Sequence, residues 1–200
     1  MSDELQRWLL PAYLITFFLT CFVWRSWRVW RETGINPLVP TPGDDAHDFV
    51  GRIFRLLVGV TGAVALTYAV DPDGAYVAPF TWAEGDAARL VGWALLLVAL
   101  IWTFIAQAQM GKSWRIGVDA KHATALVATG LFTRSRNPIF VGIIVALTGY
   151  LLVLPNALTL SIWTLGVVLI NVQVRLEEAH LSKLHGAAYD AYRARVGRWL

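Results

Sequence analysis

Apolar runs long enough to cross a bilayer recur along this chain of 200 residues, and they decide its fold class before any motif is considered. Inside hydrocarbon every backbone N–H and C=O must be paired within the protein, so helices or a closed barrel are the only spanning structures. The stretch from Ala157 to His185 holds no proline. As one helix of about 29 residues it would be roughly 43 Å long, against a hydrocarbon core of about 30 Å. Its last turns are therefore predicted to project beyond the core, with Gly186 as the C-cap.

Five spans are predicted: Trp8–Trp24, Phe49–Val70, Ala87–Ala108, Pro138–Leu154 and the helix that begins at Ala157. The first is read as a membrane span and not a signal peptide. Asp3 and Glu4 make a poor basic leader, no small-residue cleavage site follows, and Trp8, Trp24, Trp27 and Trp30 suit an interface. Arg25, Arg28 and Arg31 alternate with tryptophans at a spacing of three, which predicts a helix continuing into the headgroups with its arginines toward phosphates. The prolines, glycines and acids between Glu32 and Asp48 read as a loop, in which the lone His47 is not assigned acid–base work. Asp71-Pro72-Asp73-Gly74 reads as a turn, Phe80 and Trp82 as a short interfacial piece. Pro155-Asn156 reads as a tight reversal that makes the fourth and fifth helices antiparallel neighbours.

Composition agrees. Hydrophobic residues make up 56% of the chain and the mean hydropathy is +0.53, high for a water-soluble domain. With Cys21 the sole cysteine, no internal disulfide framework and no cysteine zinc cluster can form, and no metal site is predicted. The net charge of +3 comes from basic residues scattered in loops beside apolar runs, which reads as a topology signal and not a nucleic-acid surface. Arg25, Arg28, Arg31 and Arg52 follow the first span, and Lys112, Arg115, Lys121, Arg134 and Arg136 follow the third. Asp71, Asp73, Glu84 and Asp86 lie after the second. The positive-inside rule then predicts an N-terminus outside and a C-terminus in the cytosol, in the cell (inner) membrane. The fold class is all-α, a polytopic membrane protein of about five transmembrane helices with a cytosolic C-terminal helical cap. No strand leads into a glycine-rich turn, which excludes a Rossmann sheet, and no internal repeat suggests a transporter built from repeats.

Two stretches carry chemistry. The first is Leu126–Gly142, LVATGLFTRSRNPIFVG. Thr129-Gly130 reads as a turn, and Asn137-Pro138 as a helix start, with asparagine capping and proline at the first helical position. Arg134 and Arg136 precede that start, giving a candidate anion site at the mouth of a membrane helix. The second lies on the last long helix. Ile170, Val174, Leu181 and Leu184 form one stripe, and Glu177 falls within it. An acid on an apolar face beside a membrane is costly; it either serves function or balances Arg134 or Arg136. Glu178 points about 100° away, three residues from Arg175, and reads as a helix ion pair.

The first stretch, followed by Arg175, Glu177-Glu178, Leu181, Gly186, Tyr189 and Tyr192, resembles the integral-membrane methyltransferases of the isoprenylcysteine carboxyl methyltransferase and phospholipid N-methyltransferase group. The resemblance runs from about Gln107 to the C-terminus. It implies S-adenosylmethionine as cofactor and a lipophilic or amphipathic methyl acceptor arriving through the membrane. Under that resemblance Leu126, Val127, Gly130, Phe132, Arg136, Asn137, Pro138, Phe140, Glu177 and Glu178 are the expected cofactor-binding residues, with Glu177 and Arg175 catalytic. Residues 1–110 are then three spans with interfacial loops and 111–200 the cofactor-binding region, in one integrated domain. The family's Arg-His-Pro turn and following tyrosine are here Arg136, Asn137, Pro138 and Phe140, its aromatic after the glycine is Phe132, and His185 stands where phenylalanine often precedes Gly186. Proton transfer at Phe132, Asn137 or Phe140 is thereby put in doubt, while binding is not. Carboxyl, amine, hydroxyl and thiol acceptors all remain open, as do a non-enzymatic scaffold and a small transporter, although spans two to four offer little to line a polar path.

Overall fold

The computed structural model describes residues 3–37, 46–75, 78–115 and 125–200. Most of the predicted proline- and glycine-rich loop (residues 38–45) and Lys121 of the basic count lie outside the described residues. Helix α1 (Asp3–Phe18) continues through a π-helical segment, Leu19–Trp24, into α2 (Arg25–Thr33), which stops at Gly34 in the left-handed region. Then come α3 (Ala46–Val70), the single turn α4 (Pro72–Ala75), α5 (Asp86–Met110), α6 (Pro138–Val153), α7 (Ala157–His185) and α8 (Ala187–Arg193). Among the described residues no strand forms; Pro79 and Asn156 share an isolated bridge.

The protein is an all-α polytopic membrane protein. Four helical stretches, Arg7–Thr33, Ala46–Val70, Asp86–Ser113 and Ala157–His185, are long and apolar enough to cross a bilayer. The fifth apolar helix, α6, has 16 residues and so a length of about 24 Å, short of a core of about 30 Å. Large apolar side chains such as Leu56, Leu90 and Ile101 face outward, as a hydrocarbon solvent allows.

The spacing of three does not keep the arginines on one face. All three lie in α2, where each step of three residues drifts by about 60°, so Arg25 and Arg31 stand about 120° apart. Cys21, Arg25 and Val29 form one buried stripe, with Arg25 only 3% exposed. Arg28 and Arg31 stay outside, over the rings of Trp24 and Trp27 at 5.6 and 5.1 Å. Arg25 therefore does not face outward with them, as its spacing suggests.

Around the bundle α1 packs on α3, α3 on α7, α7 on α6 and α6 on α5, and α5 returns to the π segment. The core inside this ring includes Leu10, Leu57, Leu96, Val153, Leu154, Ile162 and Leu169. Two phenols tie helices sideways: Tyr13 donates to the Leu96 carbonyl at 2.8 Å and Tyr150 to the Thr61 carbonyl at 3.1 Å. At the reversal between α6 and α7, Asn156 caps α7, accepting from the Thr159 amide at 3.0 Å while its own amide donates to the Thr159 hydroxyl. Phe80 N–H donates to the Pro155 carbonyl, which fastens the interfacial Phe80–Trp82 piece over this end.

The α5–α6 pair makes the closest approach, because glycines face each other across it. A Cβ on Gly149 would lie 2.8 Å from the Gly92 carbonyl oxygen, and one on Gly92 would lie 2.9 Å from that of Gly149. Small residues let membrane helices gain packing that apolar bulk alone does not supply. Gly149→Ala should therefore destabilise the protein by about 1–3 kcal/mol, the usual range for overpacking. Gly59→Ala in α3, whose added methyl meets nothing within 4 Å, should be neutral or slightly stabilising. Thermal unfolding of both in one detergent checks this.

Candidate active site

The site is built at the end of the bundle where α5 stops, α6 starts and α7 runs on. At 1.5 Å per residue Glu177 lies about 30 Å along α7 from its start, level with the edge of a hydrocarbon core. A partly open cleft lies beside it. Its walls are Met110 and Ser113 at the end of α5, Ala125, Leu126 and Val127 from the following loop, and Phe132, Arg136 and Asn137 before α6. Pro138, Ile139 and Phe140 of α6, Glu177 and Leu181 of α7, and Tyr192 of α8 complete it.

Of the residues expected from the sequence, Leu126, Val127, Phe132, Arg136, Asn137, Pro138, Phe140 and Glu177 are thus brought together around one space. Gly130, Glu178 and Arg175 do not line it. Gly130 has φ +60, and a Cβ there would sit 2.4 Å from the Gln109 side chain. Its absence of side chain lets Gln109 Oε1 accept from the Leu131 amide at 2.7 Å, which pins the loop to α5. Arg175 is exposed and curls back along α7 to the Asn171 carbonyl at 2.7 Å, so the predicted Arg175–Glu178 pair does not form.

Glu178 instead anchors the cap. Arg136 donates to it through Nε and Nη2, each at 3.2 Å, Arg198 through Nη2 at 2.9 Å and Asn137 through Nδ2 at 3.0 Å. The Arg136 and Glu178 side chains are 12% and 11% exposed. Arg136 Nη1 donates to the carbonyls of Arg193 and Val196, and its backbone amide to that of Gly197. Ser135, fully buried, donates to the Arg198 carbonyl and accepts the Asn137 amide. Residues 193–198 are thereby strapped across the start of α6. Nothing in the sequence singles out Arg198 or Ser135; Arg198 reads as one more basic residue in a basic tail, and its partner is 20 residues away.

Asn137 does not cap α6 as the sequence suggests. Its side chain is turned to Glu178 and the Arg198 carbonyl, so no side-chain bond closes the helix start. Pro138 takes the first helical position as expected, and its carbonyl accepts from Trp102 Nε1 at 2.8 Å. Ile139 and Phe140, whose amides belong to a first turn without intrahelical partners, are both residues of the cleft wall.

Glu177 has a different setting from its neighbour. Its one hydrogen bond among the described residues comes from Gln173 Nε2 at 2.7 Å, and no described cation pairs with it. Arg134 is exposed and Arg136 is held by Glu178, so Glu177 does not serve as their counter-charge. The cleft therefore combines a carboxylate with no cation partner among the described residues, the first turn of α6 and three aromatic residues. Tyr192 donates to the Phe132 carbonyl at 2.7 Å, and burial pushes its hydroxyl up to about 12. It stays protonated and acts as a strut.

The two acids should separate in one experiment. Glu178→Gln strands two arginines, of which Arg136 has a side chain only 12% exposed, and should cost about 3 kcal/mol of stability, toward the lower end for a buried pair. Arg198→Ala should cost less, since its side chain is 34% exposed and partly screened. Glu177→Gln keeps the Gln173 contact sterically possible and should melt close to wild type. A melting temperature lowered more by Glu177→Gln than by Glu178→Gln would reverse these assignments.

A phospholipid methyltransferase family model matches residues 87–188, from the start of α5 into α8. That span contains every cleft-lining residue except Tyr192. No curated protein matches the chain.

Proposed function

Because the chain belongs to the phospholipid methyltransferase family, we propose that it is an S-adenosylmethionine-dependent enzyme that methylates a lipophilic or amphipathic acceptor from the bilayer. The observation that carries this reading is the convergence on one cleft of Glu177, the first turn of α6 and the aromatic residues Phe132, Phe140 and Tyr192. The cofactor combines a carboxylate, an ammonium, a sulfonium and an aromatic base, and the residues present fit that set. The Ile139 and Phe140 amides and the positive end of α6 suit the carboxylate. Glu177 suits a cationic group, and aromatic faces suit both a cation and a ring.

The cofactor, when bound, supplies a methyl group already activated on sulfur. The chain's own work is then to bind, orient and exclude water. Leu126, Val127 and Leu181 give the cleft an apolar wall, and the strapped cap fixes the start of α6 on which the amides ride. Arg136 acts in this scheme through the strap, because each of its guanidinium nitrogens already has a protein acceptor. Phe132 and Phe140 offer no proton-transfer group, and Tyr192 is committed, so Glu177 is the residue proposed to hold charge beside the reacting atoms. Arg175, exposed on the far side, is left as an outer residue of α7.

Glu177→Gln should lower methyl transfer from labelled S-adenosylmethionine into a lipid extract by tenfold or more, with calorimetric cofactor affinity also reduced and melting retained. No labelled lipid from the wild-type protein, together with no cofactor binding, would remove the enzyme reading. The cofactor side should be cytosolic. In a Cys21→Ala background, Lys183→Cys should be labelled by an impermeant maleimide from the cytosolic face and Thr81→Cys from the opposite face. The reverse pattern would place the cleft away from the cytosolic cofactor pool.

A further inference from the structure

Arg25 stands outside the cleft, yet it holds backbone from which one part of the cleft wall is made. It is buried, its Nη2 donates to the Gly111 carbonyl, and its guanidinium lies 5.9 Å from the centre of the buried Trp114 ring. Its Nε is buried without a partner. Among the described residues no carboxylate bonds to it; Glu32, on the same helix, is taken by Arg28 at 2.8 Å. A buried guanidinium without a carboxylate is costly and calls for another negative partner. The end of α5 is one, because carbonyls left unpaired at a helix C-terminus carry a partial negative charge that a cation offsets.

Helix α5 stops at Gly111, whose φ of +52 is a left-handed value, and the chain turns through Gly111–Ser113 to Trp114. Helix α2 packs on that turn. The Gly111 carbonyl accepts both from Arg25 and, at 3.4 Å, from the Trp114 amide, so one oxygen gathers the turn and the arginine. Met110 and Ser113, on either side of it, line the cleft. Ser113 Oγ donates to the carbonyl of Ala125 at 3.2 Å, and Ala125 is a wall residue as well. Contacts therefore run from Arg25 through the Gly111–Ser113 turn to Ala125. Arg25 itself lies before residues 87–188, the part of the chain that matches the family.

We propose that Arg25 is a positioning residue: by tethering the end of α5 and opposing its partial charge, it fixes the Met110–Trp114 turn as part of the wall of the cofactor cleft. The effect on cofactor binding rests on the enzyme reading given above, whereas the fixing of the turn does not. The chain before α5 thereby takes part in the site without lending it a side chain.

Substitutions at this position and one control, all in the full chain in a non-ionic detergent, test the role. Arg25→Met exchanges a buried cation for an apolar side chain, a change that often leaves stability equal or higher. It should melt close to wild type. Amide hydrogen exchange across residues 110–115 should nevertheless quicken roughly tenfold or more, and calorimetric affinity for S-adenosylmethionine should fall by a similar factor. Arg25→Lys, which keeps a charge and a donor, should restore most of both. Arg25→Gln, whose amide ends where the arginine's Nε stands, should behave like Arg25→Met and decides the matter if that variant does not fold. Tyr13→Phe, which removes the tie from α1 to the Leu96 carbonyl of α5, controls for plain loss of stability and should leave both readouts unchanged. Unchanged exchange in the neutral variants overturns the proposal, as does an equal loss in Tyr13→Phe. Faster exchange with undiminished affinity also overturns it, because the turn would then be held by Arg25 without mattering to the cofactor. A wild type that binds no S-adenosylmethionine removes the enzyme reading, and the exchange rates still decide whether Arg25 fixes the turn.

Discussion

Everything at the working end of this protein hangs on one carboxylate, Glu178, shared between Arg136, Arg198 and Asn137. A helix that starts inside or beside hydrocarbon must be held there by something other than water, and α6 is too short to reach far beyond the core. The strap from residues 193–198 supplies backbone carbonyls for Arg136 and Asn137, and Glu178 supplies the charge. Because these groups consume one another, Glu177 is left in the cleft with Gln173 as its hydrogen-bond partner among the described residues. The division between a structural acid and a free acid at adjacent positions follows from helix geometry: consecutive residues point about 100° apart.

Much of this was legible in the sequence. The spans were set by length and hydropathy, which the bilayer enforces strictly, and the long α7 by the absence of proline. The grouping of Leu126, Val127, Phe132, Arg136, Asn137, Pro138, Phe140 and Glu177 followed from a motif read against a family. What was not legible depended on contacts between distant segments. The roles of Arg198 and Ser135 depend on where the end of the chain folds back, and no local periodicity encodes that. Glu178 was misread as the partner of Arg175 because spacing along one helix is visible, while an arginine 42 residues away is not. The inward turn of Arg25 was hidden for another reason. Its spacing of three from Arg28 looks like one face, but within α2 each such step drifts by about 60°, which leaves Arg25 on the buried side with Cys21 and Val29.

The N-terminal helices contribute no residue to the cleft, yet they complete the ring that encloses the core. Tyr13 and Tyr150 show how such a ring is stabilised where there is no water to compete: each phenol finds a carbonyl on another helix. The glycine seam between α5 and α6 does the opposite kind of work, removing side chains so that two backbones come close. Together they hold the ends of α5 and α6 in register, and the cleft lies between those ends.

The shortness of α6 has a consequence for the surrounding lipid. Its length of about 24 Å falls short of a hydrocarbon core of about 30 Å, whereas α7, about 43 Å from the same reversal at Pro155-Asn156, runs past that core with its polar last turns. A bilayer of ordinary thickness meets a step there, and the inexpensive response is local thinning and tilted chains along the α6 side. A leaflet thinned in that way would bring its headgroups closer to the depth at which α6 begins, at Pro138 and Phe140.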